Sequence, residues 1–314
     1  MKKTILPFLA IALPFCYTAP SQAEVTTQPS IVKQAMAIQS IRQLNPTAIE
    51  IWYANNQHAT IDFYGENIFR VFQDNAGGII RDPKAIPEAQ ILVDNTRFPV
   101  SKFIVEENGN TISIRTQSIQ IELDKQTSLM KVTNLQNGKV AFEETAPALF
   151  GKNKVTLTLK EQPNEYFYGG GVQNGRFSHK GKAIAIENQN SWTDGGVASP
   201  NPFYWSTQGY GMMWHTFKKG KYDFGAEEAG KVKLSHETDY LDVFFMVNET
   251  PAELLNDFYQ LTGNPVLLPK FGFYEGHLNA YNRDYWKEDE KASSSKTESD
   301  TRKAKRTMAE SRNR

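Results

Sequence analysis

A chain of 314 residues, 39% hydrophobic and 12% aromatic, holds enough apolar material for one large or two ordinary domains. Its formal net charge is zero but unevenly spread: residues 292–314 hold seven Lys/Arg against three Asp/Glu, Lys2 and Lys3 stand at the start, and the body from 24 to 291 is left at about −6. A mildly acidic body lacks the basic face that nucleic acid requires, so no nucleic-acid partner is expected.

The chain begins MKKTILPFLAIALPFCYTAPSQAE. Two lysines, an apolar run from Ile5 to Phe15, and Ser21-Gln22-Ala23 make a secretory signal peptide cut after Ala23. The run is too short for about 30 Å of hydrocarbon, which favours cleavage over a membrane anchor. The expected location is therefore outside the cytoplasm, periplasmic or secreted. Cys16 is the only cysteine. Pro14 and Phe15 before it suit a lipoprotein site poorly, and cleavage leaves a mature chain with no thiol or disulfide chemistry. No later segment is long and apolar enough to span a membrane.

From residue 24 to 263 the dominant pattern has period two. Ile49, Ile51 and Tyr53 share a face, as do Phe69 and Val71, Ile112 and Ile114, and Ile119, Ile121 and Leu123; Val155, Leu157 and Leu159 repeat the pattern, and Val232 and Leu234 begin another run. Turn signals separate them at Tyr64-Gly65-Glu66-Asn67, Asn108-Gly109-Asn110 and Asn137-Gly138. Alternating strands punctuated by Gly and Asn predict a mainly β fold, an antiparallel β-sandwich.

Tyr166–Arg176, YFYGGGVQNGR, carries three consecutive glycines. It has no Gly-Lys-Ser/Thr and no helical pattern after it, which argues against a phosphate loop and for a tight turn or bulge. Glu187–Thr207 is rich in Asn, Gly, Pro and Trp, with no alternation until Phe203. Within it Trp192 offers a stacking face and Asp194 a carboxylate acceptor, the pair a sugar's C–H face and hydroxyls demand; a structural loop with a half-buried Trp is the competing reading. In Gly209–Gly225, Met212, Trp214 and Thr216 alternate with Met213, His215 and Phe217, a buried strand in which His215 reads as a satisfied core residue. The histidines at 58, 179, 215, 236 and 277 are scattered without ligand spacing, so no metal and no other cofactor is expected.

Thr250-Pro251-Ala252-Glu253 supplies an N-cap, a proline at the first helical position and a capping-box glutamate. Leu254, Leu255, Phe258 and Leu261 follow at helical spacing and Gly263 ends the run. Asn264-Pro265 then leads to an apolar strand over Val266–Phe273, and Leu267–Trp286 adds aromatics together with Glu275, His277 and Asn279. Ala292–Arg314 contains no Val, Ile, Leu, Phe, Tyr or Trp and is expected to be a disordered polar tail.

Taken together, YFYGGGVQNGR, the Trp192–Asp194 loop, NPFYWST, GYGMMWHTFKKGKYDFG and LLPKFGFYEGH resemble glycoside hydrolase family 31, in order from about Ile49 to Trp286. The resemblance implies a galactose-mutarotase-like sandwich ahead of an eight-stranded β/α barrel, and the activity of a retaining α-glycosidase. It implies that the Trp192–Asp194 loop reaches a sugar site and that Phe271–Asn282 is the first barrel strand and its loop, so that Trp192, Asp194, Glu275 and His277 bind substrate. Where common α-glucosidases of the family carry a Gln-containing motif, this chain has Tyr274-Glu275-Gly276-His277, which puts a glucose preference in doubt. Both catalytic carboxyls of the family lie on later barrel strands, so no catalytic residue is assigned here.

The expected organisation is a signal peptide over 1–23, a sandwich over 24–263, the start of a truncated β/α barrel over 264–291 and the tail over 292–314, which a frameshift would explain. The expected partner is an oligosaccharide or glycoside. The rival readings are a non-enzymatic carbohydrate-binding sandwich and an exported adhesion module.

Overall fold

The computed structural model describes residues 33–34, 37–85, 89–94, 96–173, 176–189 and 197–270. The signal-peptide region, the barrel loop and the polar tail lie outside them. The chain divides into two units after Asn264, and the first contains the fold.

In chain order its strands are β1 (Lys33–Gln34), β2 (Ile38–Asn45), β3 (Ala48–Tyr53), β4 (His58–Phe63), β5 (Ile68–Asp74) and β6 (Ile104–Asn108). Next come β7 (Thr111–Arg115), β8 (Ile119–Asp124), β9 (Met130–Asn134), β10 (Val140–Gly151), β11 (Lys154–Lys160) and β12 (Phe167–Gln173). The last are β13 (Ala183–Ile186), β14 (Val197–Ser206), β15 (Tyr210–Trp214), β16 (Gly220–Phe224), β17 (Lys231–His236) and β18 (Tyr240–Val247), followed by helix α1 (Pro251–Thr262).

These strands form two sheets. One has eight strands in the order β12-β14-β15-β18-β5-β4-β3-β2; the other has ten, running β13-β16-β17-β11-β10-β9-β8-β7-β6 with β1 paired to β10. Neighbours pair antiparallel, as in β10–β11 and β18–β5. The period-two residues explain why the sheets stack. Ile49, Ile51, Ile61, Phe69 and Val71 from one sheet and Ile112, Ile121, Leu157, Leu159 and Leu234 from the other enter a single core. Phe142 of β10 crosses the interface, stacking on Phe245 at 4.4 Å and meeting Tyr210 at 5.3 Å. Each fully buried side chain of this kind is worth roughly 1.5–3 kcal/mol.

The outer face of the eight-stranded sheet is covered as well. Tyr64, Ile68, Phe203, Met213, Phe244 and Met246 make a second cluster with Leu254 and Leu261 of α1. The helix starts as its sequence predicts, with Thr250 and Glu253 in a reciprocal capping box and Pro251 in the first turn. Phe258 stacks on Phe203 at 4.2 Å, and the Gln260 amide donates to the carbonyls of Tyr64 and Thr96. Beside this cluster Arg70 grips the fully buried Asp242 through Nε and Nη2, both at 2.6 Å. Burial pushes the Asp242 carboxyl up, but the Arg70 charge and hydrogen bonds outweigh it and hold it below the usual range.

Three expectations change. The strand expected from Phe203 begins at Val197, because a bulge lets it pair before its alternation becomes regular. The strand carrying His215 stops at Trp214, and Phe217 lies beyond it, exposed. His215 is buried with Nδ1 2.9 Å from Asp242, yet its Nε2 has no partner, so it is satisfied on one side only. Val266–Pro269, the described start of the expected barrel strand, has no regular secondary structure.

Candidate functional site

Trp192 and Asp194 fall in the span 190–196, and Glu275 and His277 follow residue 270, so all four sequence-assigned substrate residues lie outside the described residues. The structure does describe what holds the first pair. β13 is an edge strand of the ten-stranded sheet and β14 belongs to the eight-stranded one. The segment carrying Trp192 and Asp194 therefore starts from one sheet and ends on the other.

Its landing point is set by the three glycines. Gly169, Gly170 and Gly171 have φ of +110°, +76° and +90°. Gly169 pairs with Tyr204 and Gly171 with Pro200, so a step of two on β12 meets a step of four on β14. A Cβ on Gly169 would stand 2.7 Å from the Phe203 carbonyl oxygen; on Gly171 it would overlap the Ser199 carbonyl, and on Gly170 the Ile184 side chain of β13. Only residues without Cβ allow this approach.

Side chains then lock the bulge. His179 Nε2 lies 2.9 Å from the Gly169 carbonyl, to which it donates, and its ring stacks on Phe224. Its Nδ1 is buried without a partner, and burial lowers its pKa, so the neutral ring is the form held. Gln173 Nε2 donates to the Gly170 carbonyl at 3.0 Å and Arg176 Nη1 to the Ala183 carbonyl at 3.2 Å, tying the bulge to β13. Below it, Glu165 accepts from the Ser206 hydroxyl and the Gln162 amide, and burial raises its pKa. Sequence reading found the glycines but missed His179, Gln173 and Arg176. The signal was available in their nearness to the glycines, but nothing local says which carbonyl a side chain will reach.

The buried carboxylates among the described residues are committed to structure. Asp242 holds Arg70, Asp62 holds Arg97, Glu50 holds Arg42, and Asp74 accepts from the backbone N–H groups of Ala76, Lys84 and Ala85. No cluster of three His, Cys, Asp or Glu suited to a metal occurs among the described residues. What this corner can do is position a loop against a ligand.

Two antiparallel sheets with one capped helix make this a galactose-mutarotase-like sandwich. The profile of the glycosyl hydrolase 31 N-terminal galactose mutarotase-like domain matches residues 58–223, more than half of the chain, and the chain belongs to that family. It is 28% identical over 193 residues to the alpha-xylosidase XylQ of Lactiplantibacillus pentosus, covering 59% of this chain and 25% of that protein. To an alpha-xylosidase of Emericella nidulans it is 32% identical over 110 residues, 35% of this chain and 14% of the other. Among solved structures it is similar to the GH31 dextranase of Flavobacterium johnsoniae complexed with isomaltotriose, with a TM-score of 0.69 and 17% identity over 76% of this chain and 29% of that one. A GH31 alpha-xylosidase from a soil metagenome, complexed with xylose, gives 0.58 and 22% over 72% and 35%. These structural likenesses establish the fold. The chain's match spans a quarter or less of the curated relatives' length.

Proposed function

We propose that this chain is the substrate-facing, non-catalytic sandwich of an exported retaining α-glycosidase, with α-xylosides as the favoured substrate class. The observation that carries the reading is the glycine bulge: three strained glycines and three side-chain clamps are spent on fixing the segment that bears Trp192 and Asp194. The xyloside preference rests on the two alpha-xylosidase relatives and on Tyr274-Glu275-Gly276-His277 standing where a Gln-containing motif marks glucosidases.

In this reading Trp192 stacks on the sugar's apolar face and Asp194 accepts from its hydroxyls, while Glu275 adds a second acceptor and His277 orients it. Retention needs a nucleophile and an acid/base about 5–5.5 Å apart. Both belong to the barrel, since the buried carboxylates of the described sandwich are engaged in holding it together. The export signal at 1–23 places the enzyme outside the cytoplasm. The test has two parts. The 314-residue chain is assayed against nitrophenyl α-xyloside and α-glucoside, where no turnover is expected. A protein joining this sandwich to a family 31 barrel is then assayed with and without Asp194→Ala. Hydrolysis by the chain alone that is lost on mutating one of its own carboxylates would refute the reading.

A further inference from the structure

We propose that a groove beside Phe217, at the root of the Trp192–Asp194 segment, binds a neutral oligosaccharide through a sugar unit beyond the one that Asp194 contacts. The inference rests on the reading above for the identity of its ligand. The groove holds about 590 Å³ and is lined by Glu187, Asn188, Pro200, Pro202, Phe217 and Lys219. A second hollow of about 320 Å³ continues past Glu187 and Lys219 over the small residues Ala183, Ala185 and Ser235. Both volumes reach the range of small-ligand sites.

Phe217 is 69% exposed, an unfavourable place for a phenyl ring unless something covers it. The turn presenting it is held at several points. His215 N–H donates to the Asp242 carbonyl at 2.8 Å, Lys218 N–H to the Thr216 hydroxyl at 3.1 Å, and Glu237 N–H to the Lys219 carbonyl at 3.0 Å. His236 Nδ1 lies 2.8 Å from the Lys218 carbonyl, and burial pushes the ring's pKa down to about 4, so a neutral imidazole donates there. Tyr222 Oη sits 3.0 Å from both His236 Nε2 and the Pro202 carbonyl, joining the turn to the opposite wall. A ring fixed in this way has already lost the freedom that binding would otherwise remove.

The rim decides between ligand classes. Lys219 pairs with Glu237 at 3.3 Å, and Glu187 accepts from the Gln189 amide at 2.7 Å. The charges are balanced, which suits a neutral ligand over an anion or a basic peptide. A pyranose matches the rest: its C–H face covers Phe217, and its hydroxyls meet the carboxylate of Glu187, the amide of Asn188 and the ammonium of Lys219. Glu187 and Asn188 open the very segment that carries Asp194, so a chain of two or three sugars would reach both places.

The purified chain is titrated calorimetrically with xylose, isomaltotriose and a xyloglucan heptasaccharide. The wild type should bind the two oligosaccharides and xylose far more weakly. Phe217→Ala should weaken oligosaccharide binding about five- to twentyfold, Phe217→Trp should keep or tighten it, and Asp194→Ala should leave it unchanged. If Phe217→Ala fails to fold, Phe217→Trp against Lys219→Ala decides, with binding kept in the first and weakened in the second. No binding by the wild type, equal binding by Phe217→Ala, or a changed sedimentation coefficient in Phe217→Ala with glycan affinity intact would overturn the proposal; the last would mean that a second copy of the chain covers the ring. Because these readouts involve no hydrolysis, the groove and the Asp194 assignment fail independently.

Discussion

Gly171 lies so close to Ser199 that a single added carbon on the glycine would overlap the serine's carbonyl oxygen. With φ of +90° at the same residue, strain and overlap act together. Gly171→Ala should therefore destabilise the protein by roughly 2–4 kcal/mol in urea unfolding. Gly138, also at positive φ but with open space where its Cβ would stand, is the control: Gly138→Ala should cost only about 1 kcal/mol. Equal effects at the two positions would show that the bulge tolerates a side chain.

Arg70 and Asp242 make a buried bidentate pair. Truncating one partner leaves the other charge buried, so Asp242→Ala should lose about 3–5 kcal/mol. Because the folded carboxyl is held below its unfolded pKa, this contribution is present above the unfolded value and disappears as pH falls through the folded one. Acid unfolding followed by circular dichroism should start at higher pH in a variant that lacks Arg70. An unchanged acid limb in Arg70→Met would remove the pair from the account.

Glu144 works in the opposite direction. Burial between the sheets raises its pKa from 4.5 to about 8, against a lowering by the Met130 N–H. A folded pKa above the unfolded one means that the neutral acid is favoured, so stability falls as pH rises from about 4.5 to about 8 and is level beyond. His236, with its pKa lowered to about 4, costs stability only as pH drops below about 6.5. The interval from 6.5 to 8 thus isolates Glu144 from His236. Across it Glu144→Gln should be more stable than the wild type by on the order of 2 kcal/mol at pH 8, and its stability should be nearly flat. A wild-type profile already flat there would show that water reaches the carboxyl.

At the helix, Thr250 accepts from Glu253 N–H while Glu253 returns a bond to Thr250 N–H. Thr250→Ala should lower stability by about 1 kcal/mol, measured by thermal unfolding, and Thr250→Ser should restore most of it. If alanine and serine behave alike, tertiary packing at Leu254 and Leu261 fixes the helix without its cap.

This helix was readable before any coordinates because cap, proline and apolar spacing are all local. The strands through Ile49, Ile119 and Val155 were equally plain, since a sheet with one buried face writes its register into alternate residues. β14 was read late because its first residues pair through a bulge, where alternation fails. The buried outer-face row of Arg70, Asp242 and His215 was invisible for a different reason: Arg70 and Asp242 are distant in sequence, and the pairing depends on β5 and β18 becoming neighbours. In the candidate site the glycines showed as a bulge, while His179, Gln173 and Arg176 acquired a role only once their carbonyl partners were placed.

The central claim is that the segment between β13 and β14 contributes Asp194 to sugar binding. Its most direct test is kcat/KM on an α-xyloside for a protein joining this sandwich to a family 31 barrel, compared with its Asp194→Ala variant of equal thermal stability. Losing a charge-assisted hydrogen bond to the transition state costs roughly 2–4 kcal/mol, so the account predicts a fall of about 30- to 1,000-fold. Kinetics within about twofold of the parent would contradict it and leave the segment a structural loop.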